Sequence, residues 1–252
     1  MEDIPSMNQD LNIEQHSFGK SLLLHLFPGI LIGLCYFLID FPLHQLGFPS
    51  LMALMTSVVV ILVPVELGYL LYLGKKKNGR FSLQGIVMYR SPIPGWQYFV
   101  WVPVLFVIVG IIFTVMKPID VFLQNTFFSW LPAMESGLQG GFTKGNLIIT
   151  YTMVAIFGAF VAPIVEEFYF RGFLLPRMEY AGKWAPLLSS FLFAIYHIFT
   201  PWMFITRTLG MLPLVYAVQR RNLYISIIVH VLVNLIDVIT GVSFILTMTN
   251  TL

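Results

Sequence analysis

Seven polar side chains in the second half of the chain interrupt apolar runs: Glu166, Glu167, Arg171, His197, His230, Asn234 and Asp237. Glu166 and Glu167 are adjacent, so on a helix they point about 100° apart and cannot share one task. Glu167 and Arg171 stand at i and i+4 with the acid first, the favoured order for an ion pair on one helix face. That pairing leaves Glu166 without a local cation, and a carboxylate kept from water suits general acid or base work. His230 and Asn234 are also at i and i+4, and two donors on one helix face can hold a single developing oxyanion. Asp237 continues the same stripe and could orient Asn234 or His230 from behind. His197 closes the run Phe193-Ala-Ile-Tyr-His197. Each residue also has a plainer reading. The glutamates could mark a helix end at the lipid headgroups, the His–Asn pair could bond a neighbouring helix, and His197 could be a packing residue bonded to a carbonyl. In the first half His25 and Glu66 stand alone.

The elements that must hold these groups are set by composition. The chain has 252 residues, 58% hydrophobic and only 10% charged, against about 25% charged in soluble domains. Lipid is therefore the natural solvent. A net charge of +2 does not point to nucleic acid, and the single Cys35 permits no intramolecular disulfide. The polar, acidic N-terminus lacks a basic n-region and a small-residue cleavage site, so no cleaved signal peptide is expected. A span needs about 20 apolar residues. The candidates are Ser21–Ile39, Leu51–Leu73, Gln97–Met116, Asn146–Val165 (continuing to Leu175), Trp184–Phe199, Met203–Val218 and Leu223–Leu246. The expected fold is an all-α polytopic transmembrane bundle of seven spans, or eight if the last breaks at Thr240–Gly241. It reads as one integrated domain: a cytoplasmic N-terminal segment 1–20, N-terminal helices and loops 21–145, and a catalytic core 146–252.

Cations orient the bundle. Lys75, Lys76, Lys77, Arg80 and Arg90 follow span two, Arg177 and Lys183 follow span four, and Arg220 and Arg221 follow span six. These alternate loops fall on one side, expected to be the cytoplasm, together with the N-terminus and Lys20. Arg207 does not fit this pattern. Trp96, Trp101, Trp130, Trp184 and Trp202 lie near predicted span ends, as in an aromatic belt. The segment 82–94 reads as an interfacial piece, and 118–145 as the longest connection, lying on the outer surface or dipping inward. At about 1.5 Å per residue, His230 lies about 10 Å, Glu166 about 14 Å, Asn234 about 16 Å and His197 about 20 Å from the cytoplasmic face. An acid, two imidazoles and an amide on three helices thus share one slab of the membrane.

At these residues the chain resembles the CAAX prenyl protease and bacteriocin-processing family, the CPBP or Abi intramembrane proteases. The family pattern Glu-Glu-x-x-x-Arg, Phe-x-x-x-His, His-x-x-x-Asn stands here as Glu166-Glu167-x-x-x-Arg171, Phe193-x-x-x-His197 and His230-x-x-x-Asn234. The resemblance covers about residues 146 to 237. It implies an intramembrane endopeptidase acting on a membrane-associated or lipidated, CAAX-like protein or peptide precursor. Glu166 would activate water, His197 would help hold it, and His230 and Asn234 would stabilise the oxyanion. Glu167 and Arg171 would support them, and the site would open toward the cytoplasm or the inner leaflet. Glu166, His197 and His230 could also form a zinc set with an open position. No His-Glu-x-x-His pair is present, however, and Asn234 is a poor zinc ligand, so a site without a cofactor explains Asn234 better. Two other classes remain open. One is a non-proteolytic membrane regulatory or immunity protein on the same scaffold. The other is a small transporter, for which Glu66 after Pro64 is the only pointer and against which the one-sided placement of polar residues counts.

Overall fold

The computed structural model describes residues 13–248. The first twelve residues of the expected cytoplasmic segment lie outside this range. Seven helices of twelve residues or more occur among the described residues, and no strand does. They are α1 (Phe18–Gln45), α2 (Ser50–Asn78), α3 (Gly95–Thr126), α4 (Lys144–Arg177), α5 (Ala185–Tyr196), α6 (Phe204–Arg220) and α7 (Leu223–Thr247). α1, α2, α3, α4 and α7 are long and apolar enough to cross a membrane, which makes the chain an integral membrane protein. α5 and α6 are shorter, with 12 and 17 residues. At about 1.5 Å per residue α5 rises about 18 Å, well short of a hydrocarbon core of about 30 Å. α7 continues unbroken through Thr240 and Gly241.

Local sequence explains the starts and stops. Ser17, Thr143 and Asn222 cap α1, α4 and α7, their side-chain oxygens accepting the amides of Lys20, Asn146 and Ile225. Each satisfies a donor that the first helical turn leaves open. α2 ends after Lys75, Lys76 and Lys77 at Gly79, whose φ of 73° suits a residue without Cβ. α4 is not a uniform α-helix. Its backbone widens to π-type turns over Val154–Val161 and Glu167–Leu174, on either side of Glu166. Such turns are rare and recur at functional sites.

Two small residues bring α1 against the end of α5. A Cβ built on Gly29 would lie 2.1 Å from the Tyr196 carbonyl oxygen, and one on Gly33 would lie 2.6 Å from Ile198. This small-x-x-x-small contact allows close backbone approach in lipid. Gly29→Ala is therefore expected to push α1 away from the chain just before His197. A cost of about 1–3 kcal/mol, the usual range for overpacking, would appear as a lower Tm in detergent.

The segment 82–94, read as interfacial, is partly buried against the bundle. Ile86, Val87, Met88 and Tyr89 are buried. The Met88 amide donates to the Gly172 carbonyl (2.8 Å), and the Tyr89 carbonyl accepts the Leu223 amide (2.7 Å). The segment tucks between α4 and α7 at the end of the bundle that carries the basic loops. Gly172 makes room for it, because a Cβ there would meet Val87 at 2.5 Å. The tryptophans divide: Trp96, Trp130 and Trp184 are exposed near helix ends, but Trp202 is buried. It packs inside because the α5–α6 connection folds into the bundle.

Candidate active site

α4, α5 and α7 bring Glu166, His197 and His230 together. Glu166 Oε1 lies 3.9 Å from His197 Nε2, and Glu166 Oε2 lies 3.8 Å from His230 Nε2. Glu166 is 6% exposed and His230 4%. Both separations exceed a direct hydrogen bond, so the three groups surround a small gap. They face a cavity of about 670 Å³ that is also lined by Asn234, Asp237 and Arg207.

The imidazoles are held from behind. His197 stands at the C-terminal end of α5, where the helix breaks (φ −80°, ψ 57°). Its Nδ1 lies 2.9 Å from the Phe193 carbonyl oxygen and, donating there, leaves Nε2 for the cavity. His230 Nδ1 lies 3.0 Å from Glu167 Oε1. Glu167 also accepts from Ser226 Oγ (2.7 Å) and pairs with Arg171 at 3.5 Å. Glu167 thus does more than balance Arg171: its carboxylate fixes the tautomer and the plane of His230. The adjacent acids divide as the helical geometry expects, Glu166 into the cavity and Glu167 into the packing.

Phe193 ties the set together. The Arg171 guanidinium stacks over its ring at 3.8 Å, and both imidazoles meet the ring edge-on, at centroid distances of 4.8 Å for His197 and 6.1 Å for His230. Arg171 is fully buried, and none of its nitrogens makes a hydrogen bond. Glu167 and the ring face are its compensation.

Asn234 reaches the cavity but is already engaged, its Nδ2 donating to the Gly158 carbonyl at 2.9 Å. One amide hydrogen remains. Asp237 departs from its expected supporting place. It is exposed and makes no hydrogen bond to Asn234 or His230 among the described residues, because α7 turns it toward the cavity mouth.

Three contributors escape a motif reading. Ser226 sits four residues before His230 on the same helix face, a position periodicity alone would have flagged. Arg207, the cation that broke the loop pattern, lines the cavity wall. Glu66 is fully buried and accepts from Tyr196 Oη at 2.7 Å, immediately before His197 in the chain. Its second oxygen has no partner. Tyr196→Phe would leave that carboxyl group with none, a loss of about 1–3 kcal/mol visible as a lower Tm. Adding Glu66→Met should recover most of it, because removing both polar partners costs less than removing one.

The cavity runs from Glu166 past Tyr151 and Leu54 to Met134, Ser136 and Leu138 in the loop between α3 and α4. Its exposed lining residues are Thr114 of α3 and Ile236, Asp237 and Thr240 of α7.

Glu166, His197 and His230 stand somewhat farther apart than the ligands of a closed tetrahedral zinc site. Zinc bonds of about 2.0–2.1 Å imply ligand edges of about 3.3 Å in a tetrahedron, shorter than the 3.8 and 3.9 Å observed. Among the described residues no group of three His, Cys, Asp or Glu is spaced to hold an ion.

Residues 148–236 match the family model described as Type II CAAX prenyl endopeptidase Rce1-like. No curated protein and no solved structure matches the chain. The matched segment contains all three motifs and every group around the gap.

Proposed function

We propose, from a chain whose residues 148–236 carry the signature of the Rce1-like endopeptidases, that this protein hydrolyses a peptide bond of a membrane-associated or lipidated, CAAX-like substrate. The observation that carries the reading is the convergence of one carboxylate and two Nε2 atoms on a gap inside the membrane-spanning core. Glu166 takes a proton from a water in that gap, and His197 Nε2 holds the water by accepting its other hydrogen. The oxygen attacks the scissile carbonyl. His230, backed by Glu167 as a histidine is backed by an acid in hydrolase triads, donates from Nε2 to the oxyanion when charged. The remaining amide hydrogen of Asn234 is the second donor. Collapse of the tetrahedral intermediate returns the proton from Glu166 to the leaving amine.

The reading needs no metal. Cleavage by purified protein should persist in excess chelator, and metal analysis should show no stoichiometric zinc. Zinc at one equivalent whose removal stops cleavage would replace this mechanism with a metal-assisted one. The substrate itself is best found by trapping on Glu166→Gln in native membranes, followed by mass spectrometry. A non-proteolytic regulatory role on the same scaffold predicts instead a cellular phenotype unchanged by Glu166→Gln.

A further inference from the structure

Glu66 on α2 is fully buried and has no cation within ion-pair distance among the described residues. An ionisable side chain kept inside a membrane helix is costly and points to a task. Glu66 does not line the cavity, so that task is not on the reacting atoms. It lies where the backbone of α2 widens to π-type turns, over Val58–Leu67 with Pro64 inside. Such turns recur at functional sites, and α4 has them on either side of Glu166. What Glu66 holds is the last residue of α5: its Oε1 accepts from Tyr196 Oη at 2.7 Å. The helix stops there, and His197 follows in a non-helical conformation. Helix ends fray unless something holds them. The Tyr196 ring meets the His197 imidazole edge-on, with centroids 4.9 Å apart and planes at 88°, and stacks with Phe193 at 6.0 Å. Phe193 meets the same imidazole at 4.8 Å. Two rings therefore wall His197. One of them, Phe193, is braced by Arg171, and the other, Tyr196, by Glu66.

We propose that Glu66 is a positioning residue of the peptidase site: by fixing Tyr196 Oη across from α2, it sets the ring that walls His197 and so aims Nε2 at the gap beside Glu166. This deepens the peptidase reading and rests on it. Packing alone needs no carboxyl here, because replacing both partners of a buried hydrogen bond by apolar groups of similar shape can be nearly neutral for stability. Stability and turnover should therefore separate when both partners are replaced. A structural bond predicts that the two recover together.

The test uses full-length protein in lipid nanodiscs with three readouts: Tm, the rate of cutting of a degenerate library of acyl-anchored peptides, and the rate at which diethyl pyrocarbonate modifies His197, located by mass spectrometry. Tyr196→Phe should slow cutting on the order of 10-fold or more, since small displacements of a catalytic group are costly. In Glu66→Met with Tyr196→Phe the Tm should recover while cutting stays slow and His197 is modified several-fold faster than in wild type. Glu66→Gln keeps an oxygen for Tyr196 Oη, so its cutting and its His197 modification should stay close to wild type. If the double variant does not fold, Tyr196→Phe below its own Tm gives the same comparison. Wild-type cutting in the folded double variant overturns the proposal and makes the bond a matter of packing, with the peptidase reading intact. Cutting as slow in Glu66→Gln as in the double variant also overturns it, by giving the carboxyl a task of its own. No cutting by wild type removes the peptidase reading; unchanged His197 modification across the variants would then refute the positioning role as well.

Discussion

Glu166→Gln is expected to reduce peptide cleavage by about 10²–10⁴-fold, the usual contribution of a positioned general base, without unfolding the protein. Gln keeps the shape of the side chain and the wall of the cavity. It cannot accept the proton that water must lose before it attacks. Folding should tolerate the change, since the Glu166 carboxylate makes no side-chain hydrogen bond among the described residues and only approaches the imidazoles at 3.8 and 3.9 Å. Two measurements decide: turnover of a trapped substrate, and Tm in the same detergent. Full turnover in a folded Gln variant would take Glu166 out of the chemistry and with it the proposed mechanism. His197→Ala would then be the variant to examine, because its Nε2 is the other group facing the gap.

The largest structural effect is expected at Glu167. Glu167→Ala would strand Arg171, which is 0% exposed, with no counter-ion, and would release His230 Nδ1 and Ser226 at once. Removing one partner of a buried ion pair typically costs about 3–5 kcal/mol. The variant should unfold well below the wild-type temperature, or fail to accumulate. Arg171→Met alone leaves Glu167 charged but still bonded to His230 and Ser226, so its loss should be smaller. The double variant Glu167→Leu with Arg171→Met should be more stable than Glu167→Ala, because an apolar pair of similar volume avoids the stranded charge. It should still be a poor catalyst, since His230 loses the acid that orients it. A Glu167→Ala protein as stable as wild type would mean that the ion pair contributes nothing to the fold.

Much of this was legible from the residues. The i, i+4 relation of Glu167 and Arg171, and the opposite heading of Glu166, follow from helical geometry and hold even through the π-type turns of α4. The motif order and the shared depth of Glu166, His197 and His230 placed them in one site. Other features depend on tertiary contacts that no local pattern carries. Asn234 donates to Gly158, 76 positions earlier in the chain. Glu66 of α2 is buried against Tyr196 at the end of α5. The segment 82–94 reads as interfacial because Pro92, Pro94 and Gly95 break it, and its pattern does not reveal that Ile86 to Tyr89 pack into the core. α5 reads as a span by hydropathy, but it has 12 residues, and composition alone does not mark where a helix stops.

A mouth flanked by Thr114 on α3 and by Ile236, Asp237 and Thr240 on α7 bears on how the proposed turnover responds to dilution. For a substrate held in the membrane, as proposed above, the relevant concentration is two-dimensional. Rates should follow the mole fraction of substrate among lipids, fall when inert lipid is added at constant bulk molarity, and be indifferent to the volume of surrounding water.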